Sequence, residues 1–367
     1  MSDPISDPIV ERFTAHCLRV PLTRPYKLSF GPVEAFDMVL VEAELDDGRS
    51  GWGEATVLTG YTEETIEEAW QTAGEMAEPL VGLGVAMAKN AAMAHQSTAP
   101  FTTTAFVTAL EMATGHSVLT ATEERRMELL AILNAMEADE LVDEIEARLD
   151  EGYKTLKVKV GFDLGPDMAR LAYIQECARG RAKLRVDANQ GYDRSEGVVF
   201  VSCIDPAGIE LVEQTCAAGD WKAAVAVADA AGENGVPYML DESIYKLSDV
   251  DRAAKLGCAD VIKLKLMKLG SLDALARGID HIRAQHMTPV LGNGVAGDIG
   301  CWMEACVGAA SIDNAGEMNG FLKPIQRLFD VPMRLERGEL ILDGGEARPD
   351  RDAIATYTLE KRETYRK

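Results

Sequence analysis

The chain has 367 residues, 47% hydrophobic and 26% charged, as expected for a soluble globular protein with one large fold and a smaller one. Its formal net charge of -23 excludes the basic surface that nucleic acid or an anionic membrane requires, so an anionic substrate would need a locally positive site. The opening MSDPISDPIVERF lacks a basic stretch followed by an apolar run, and no segment reaches the ~18 apolar residues of a membrane span, so a cytoplasmic protein is expected. Seven scattered cysteines without a CxxC pair point to reduced thiols, and five scattered histidines give little support to a histidine metal site or a Ser-His-Asp triad.

In chain order, DMVLVEAELDDGRSGWGEA (37–55) reads as a strand, an Asp-Asp-Gly turn and a second strand. ETIEEAWQTAGEMAEPL (64–80) and FTTTAFVTALEMATG (101–115) read as helices. This α+β segment runs to about residue 125. From there one unit recurs, an apolar strand followed by a polar helix. The expected strands are 127–133, 155–161, 183–191, 208–214, 237–243, 261–268, 288–294 and 314–320. Steps of 28, 26, 28 and 24 residues lead from Lys159 through Asp187, Glu213 and Asp241 to Lys265, roughly the chain needed for strand, helix and two short loops. Eight such units predict a (β/α)8 TIM barrel over 126–330, with an α+β capping domain over 1–125. In the tail, ELILDGGEARPD (339–350) is expected to form a last hairpin outside the barrel, and 331–367 to return to the cap.

In such a barrel the active site lies at the C-terminal strand ends. TLKVKVG (155–161) puts Lys157 and Lys159 on one face and Leu156, Val158 and Val160 on the other. The next strands end in Asp187 and Asn189, in Glu213 and Gln214, and in Asp241 and Glu242; the sixth carries Lys263 and Lys265. Singly, a strand lysine is commonly solvated and a terminal carboxylate commonly caps the next helix. Barrel strands are buried on both faces, however, and charges there need partners or a ligand. Three carboxylates at successive strand ends suit a hard divalent cation, Mg²⁺ in the first place. Lysines flanking the cation from both sides would lower each other's pKa toward that of a general base.

This set resembles the enolase superfamily, and within it the muconate lactonizing enzyme subgroup. The resemblance is carried by KVK (157–159), DAN (187–189), VEQ (212–214), LDES (240–243) and KLMKLG (265–270), with GWGEA and YTEET matching the family's cap. It implies removal of the proton α to a carboxylate of a small-molecule substrate, with Mg²⁺ on Asp187, Glu213 and Asp241 stabilising the enediolate. Lys159 and Lys265 become the acid/base pair, and Lys157 and Asn189 auxiliary groups at the substrate carboxylate. Racemisation or epimerisation of an amino-acid derivative is the main expectation, and cycloisomerisation or dehydration of another carboxylate the alternative. Family members are often homo-oligomers.

Substrate contacts are expected from Tyr26, Phe30 and Tyr61 in the cap loops 24–31 and 56–62, and from Asn293, Asp298 and Glu317 at the last strands. GNGVAGDIG places Ala296 where several subgroup members carry a Glu, with Asp298 two residues on. The Asp-x-Asp of dipeptide epimerases is here Glu317-x-Asn319, and muconate cycloisomerases share a Glu at the Glu317 position. With Arg24 the lone arginine of the cap loops, a second anionic group on the substrate is not signalled. Gly292, Gly294 and Gly297 also spell GxGxxG, with Asp313 downstream, a rival dinucleotide fingerprint that here falls at the end of a repeat series.

Overall fold

The computed structural model describes residues 7–28, 31–58 and 64–366. Strands β1 (Val10–Leu28), β2 (Gly31–Leu45) and β3 (Ser50–Val57) form an antiparallel meander. Helices α1 (Ile66–Leu80), α2 (Val85–Met93) and α3 (Pro100–Ala113) follow. Thr65 opens α1 with a capping box closed by Glu68. Helix α3 is buried almost all round and lies close against β3. The glycines of GWGEA permit this approach: a Cβ at Gly53 would stand 2.1 Å from the Ala105 carbonyl oxygen, and one at Gly51 would stand 2.2 Å from the Ala113 nitrogen.

The expected strand 127–133 is divided in two. β4 (Arg125–Glu128) pairs antiparallel with a C-terminal hairpin, and β5 (Ala131–Leu133) enters the barrel after a break at Leu129 and Leu130. There follow α4 (Ala138–Asp150), β6 (Thr155–Lys159), α5 (Leu164–Ala178), β7 (Lys183–Asp187), α6 (Arg194–Cys203), β8 (Ile209–Glu213) and α7 (Trp221–Glu233). Then come β9 (Tyr238–Leu240), α8 (Leu247–Leu256), β10 (Val261–Leu264), the short α9 (Leu266–Leu269), α10 (Leu272–Ala284), β11 (Thr288–Leu291) and α11 (Asp298–Ser311). Strands β5 to β11 lie side by side in sequence order as one curled parallel sheet.

The eighth position is not a strand. Residues 314–320 close the barrel with isolated backbone bonds: Gly316 N–H to Glu128, Leu130 N–H to Gly316 and Glu317 N–H to Leu291. A tight turn then brings the Asn319 N–H back to the Glu317 carbonyl at 2.7 Å, which ends pairing after two residues. The last elements are β12 (Phe329–Asp330), β13 (Met333–Glu336), β14 (Glu339–Leu342), β15 (Arg348–Pro349), α12 (Arg351–Tyr357) and β16 (Thr358–Tyr365). The hairpin is not the one expected over 339–350: it turns at Arg337 and Gly338 between β13 and β14, with β4 as its third strand, while β15 pairs with β12; β16 pairs with β1.

Outward residues such as Leu156 and Val158 pack under the helices in the main core. Inside the barrel Leu211, Met239, Val261 and Val290 form a small apolar plug. Beyond them along the strands the interior turns to charge. Among the described residues no helix is long and apolar enough to cross a membrane.

Candidate active site

Period-two alternation aims every second strand residue inward, and pairing sets the levels: Lys159 lies beside Asp187, and Asp187 beside Glu213. Asp241 follows the end of β9 and Lys265 the end of β10. The order across the sheet is therefore Lys159, Asp187, Glu213, Asp241, Lys265, with one lysine at each end of three carboxylates. Asp187, Glu213, Asp241 and Lys265 are buried, and Lys159 is half-buried.

The turns after these strands are held in demanding conformations. Asn189 (φ 41°) and Gln214 (φ 38°) occupy the left-handed region, which is costly for non-glycine residues. Asn189 donates its backbone N–H to Asp187 at 2.9 Å and its side-chain amide to Glu242 at 3.0 Å, and accepts from Lys159. The Gln214 side-chain oxygen accepts the backbone N–H groups of Asp241 and Ser243. Gln214 thus ties the Glu213 and Asp241 strand ends together.

The lysines form a lattice with the acids. Lys157 Nζ lies 2.7 Å from Glu213 and 2.9 Å from both Asp187 and Glu317. Lys263 Nζ lies 2.9 Å from Glu213 and 3.4 Å from Asp241, and also pairs with Glu317. Lys159 pairs with Asp187 at 2.6 Å. Asp241 is shared by Lys263, Lys265 at 2.8 Å and Lys268 at 2.9 Å. Sequence reasoning gave Lys263, Lys268 and Glu242 no role. The alternation that puts Lys157 and Lys159 on one strand face already places Lys263 beside Lys265, and folding adds its partners Glu213, Asp241 and Glu317.

These contacts separate the two end lysines. Burial and the neighbouring Lys268 push Lys265 well below the usual lysine range. Burial and Lys157 also press Lys159 down, but Asp187, Tyr26 and Glu213 outweigh them and its pKa ends above the usual value. Burial, with repulsion from Asp187 and Glu317, raises Glu213 to about 8 despite its two ammonium partners. Burial and Asp241 raise Glu242 to about 7, and its Oε2 is buried without a hydrogen-bond partner.

The donor set fits a hard divalent cation: three buried carboxylates on adjacent strand ends, with Glu213 and Glu242 short of positive charge. The ammonium groups of Lys157 and Lys263 stand between these carboxylates. Glu111, His116 and Asp273 form another acidic and histidine grouping, between α3 and α10. Lys89 enters it at 2.9 Å from Glu111 and 3.5 Å from Asp273, as part of an ion-pair network joining cap to barrel.

Tyr26, Ile132, Asn189 and Glu317 line one small cavity with Lys157, Lys159, Lys263, Lys265, Asp187 and Asp241. Asn293 and Asp298 do not line it. Asn293 is buried and accepts the Val295 N–H, and Asp298 sits at the start of α11 holding the Phe329 backbone. Phe30 and Tyr61 lie outside the described residues. The glycine-rich segment serves packing: a Cβ at Gly292 would stand 2.1 Å from that of Glu317, and one at Gly297 would stand 2.7 Å from the Glu54 carboxylate. Gly294 alone of the three reaches the small cavity at the lysines.

Residues 12–130 match the family described as mandelate racemase / muconate lactonizing enzyme, N-terminal domain, and residues 140–346 match the enolase C-terminal domain-like family. The chain is 30% identical to L-Ala-D/L-Glu epimerase of Bacillus subtilis over 347 residues, covering 89% of each. It is 26% identical to muconate cycloisomerase 1 of Rhodococcus opacus over 362 residues, covering 93% of this chain and 96% of that one. The crystal structure of N-succinyl Arg/Lys racemase from Bacillus cereus superposes with a TM-score of 0.87 at 19% identity, covering 97% of this chain and all of the other, a likeness of fold. With both halves matched and the row of lysines and carboxylates in place, the chain belongs to the enolase superfamily, in its muconate lactonizing enzyme subgroup.

Proposed function

We propose that the protein racemises or epimerises an amino-acid derivative by moving the proton α to its carboxylate. One observation carries this reading: Lys159 and Lys265 reach one cavity from opposite ends of the Asp187, Glu213, Asp241 row. The kinship with an L-Ala-D/L-Glu epimerase supports it. Lys265, held toward its neutral form, accepts the α-proton on one face of the carbon. Lys159, held as ammonium, returns a proton to the other face, and the two exchange roles for the opposite enantiomer. Lys157 and Asn189 orient the substrate carboxylate. Asp187, Glu213 and Asp241 would hold Mg²⁺, which would stabilise the charge developing on that carboxylate. Residues 1–125 with 331–367 form the cap over the barrel of 126–330, a division supported by the pairing of β16 with β1.

The test is proton NMR in D2O with Mg²⁺ and a panel of N-acyl amino acids and dipeptides. Loss of the α-proton signal with inversion at the α-carbon is expected. If no amino-acid derivative exchanges while a muconate-type carboxylate is turned over, cycloisomerisation replaces this reading.

A further inference from the structure

The two end lysines are supported by separate side chains, each on a helix outside the barrel wall. Behind Lys159 stands Arg170, in the second turn of α5. Its Nη1 donates to the Lys159 carbonyl at 3.0 Å and its Nη2 to the Ala135 carbonyl at 2.8 Å, which ties the chain ends after β6 and β5 together. Its Nε is buried with no hydrogen-bond partner among the described residues. One turn earlier, Asp167 accepts the N–H groups of Gly161 at 2.9 Å and Phe162 at 2.8 Å and so fixes the chain as it leaves Lys159.

Behind Lys265 stands Glu304, in the second turn of α11 and fully buried. Its Oε1 accepts the Leu266 N–H at 3.3 Å, at the point where the extended Lys265 hands over to α9. Burial raises the Glu304 carboxyl to about 8, against the Leu266 and Gly292 N–H groups and the charges of Lys265 and Lys263. Its Oε2 is buried with no hydrogen-bond partner among the described residues. A buried polar atom without a partner is costly, and an apolar side chain would fill either position without that cost. What Arg170 and Glu304 supply in return is the hold of their partnered atoms on the main chain. Neither lines the small cavity at the lysines. They serve opposite ends of the row and, among the described residues, share no hydrogen-bond partner.

We propose that Arg170 and Glu304 are positioning residues, each holding one end lysine against its own face of the α-carbon. Loss of either support disables proton transfer at one face and spares the other. This inference rests on the two-lysine reading of the proposed function.

The experiment follows α-proton exchange in D2O separately for the two enantiomers of one substrate, with Lys265→Ala and Lys159→Ala assigning the faces. Inversion needs both lysines, whereas exchange with retention needs one. Glu304→Leu lowers kcat for exchange at the Lys265 face by about 10- to 100-fold and leaves the Lys159 face close to wild type. Arg170→Met gives the converse pattern, and inversion falls in both variants. Glu304→Gln, which keeps an uncharged acceptor for Leu266, restores the Lys265 face. Equal losses at the two faces, or none, overturn the inference, as does a Glu304→Gln variant no better than Glu304→Leu. An effect of Arg170→Met confined to KM also overturns it, because Arg170 would then act as a wall of the cavity of about 410 Å³ that it lines beside Lys159. The Arg170 arm decides alone if Glu304→Leu does not fold. Should wild-type protein exchange no amino-acid derivative at all, the proposed function falls, and amide hydrogen exchange of the substrate-free protein decides the supports. Faster exchange in 262–270 and not in 155–163 for Glu304→Leu, with the reverse for Arg170→Met, sustains them. Equal change in both segments, or none, overturns them.

Discussion

The two end lysines differ in surroundings more than in position. Asp241 is divided among three ammonium groups, and Lys265, with Lys268 close by, is driven toward the neutral amine. Lys159 has Asp187 at 2.6 Å and keeps its proton. The direction that uses Lys265 as base should therefore be active at lower pH than the direction that uses Lys159. Its kcat should rise with pH earlier, as measured by separate pH profiles for the two enantiomers of one substrate. Lys265→Ala and Lys159→Ala should each lower α-proton exchange by about 10²- to 10⁴-fold for the enantiomer whose base is removed. If one lysine proves dispensable for both enantiomers, proton transfer across the α-carbon is excluded. The row itself was legible from TLKVKVG and its counterparts, because period-two spacing and buried charge are local facts. Lys323, which lines the cavity next to Tyr26, was not legible: it ends the short 3-10 turn Gly320–Leu322, and only folding brings it over the Tyr26 ring.

At the scale of elements, the seam between β11 and the closing segment is where strand reasoning fell short. NAGEMNG carries two glycines and two asparagines and little β-branching, so its contribution is two paired residues and the Glu317 side chain. Gly292 allows that segment to approach β11. Gly292→Ala should press a methyl group into Glu317 and cost about 1–3 kcal/mol, read as a lower denaturation midpoint, with a loss of activity as Glu317 shifts away from Lys157 and Lys263. A second seam joins β3 to α11, where Glu54 accepts the Gly297 N–H at 2.6 Å. Burial and the nearby Asp298 raise the Glu54 carboxyl from 4.5 to about 7. The folded protein thus keeps a proton that the unfolded chain has released between about pH 4.5 and 7, and stability falls as pH rises through that window. Glu54→Gln, which preserves an acceptor for Gly297, should remove up to about 3 kcal/mol of this loss. Denaturant unfolding at pH 5 and pH 8 should show a smaller pH effect in the variant, and an equal effect in both proteins would assign the titration elsewhere.

For the whole molecule, repetition was the strongest signal in the sequence. Near-constant spacing of strand ends specifies a parallel barrel without fixing any side chain, which is why the barrel was legible while its eighth position and the split of 127–133 were not. The barrel in turn makes metal binding a property of the entire fold. Asp187, Glu213 and Asp241 come from three different βα units and meet only in the folded state, so a cation they hold stabilises the native molecule against unfolding. The lattice of Lys157 and Lys263 opposes such a cation, whereas Glu213 at about 8 and the unpartnered Glu242 Oε2 favour it. If the carboxylates prevail, Mg²⁺ at about a hundred times its dissociation constant should add about 2.7 kcal/mol, a rise in Tm of about 3–4 °C for a chain of this length. Ionic-strength-matched NaCl should give no such rise, and EDTA should reverse it. Glu213→Gln should abolish the rise while leaving a folded protein, because the amide removes a charge already held unfavourably. An unchanged Tm in wild-type protein across millimolar Mg²⁺ and Mn²⁺ would show that the lysines alone satisfy the acids, and the metal assignment would fall.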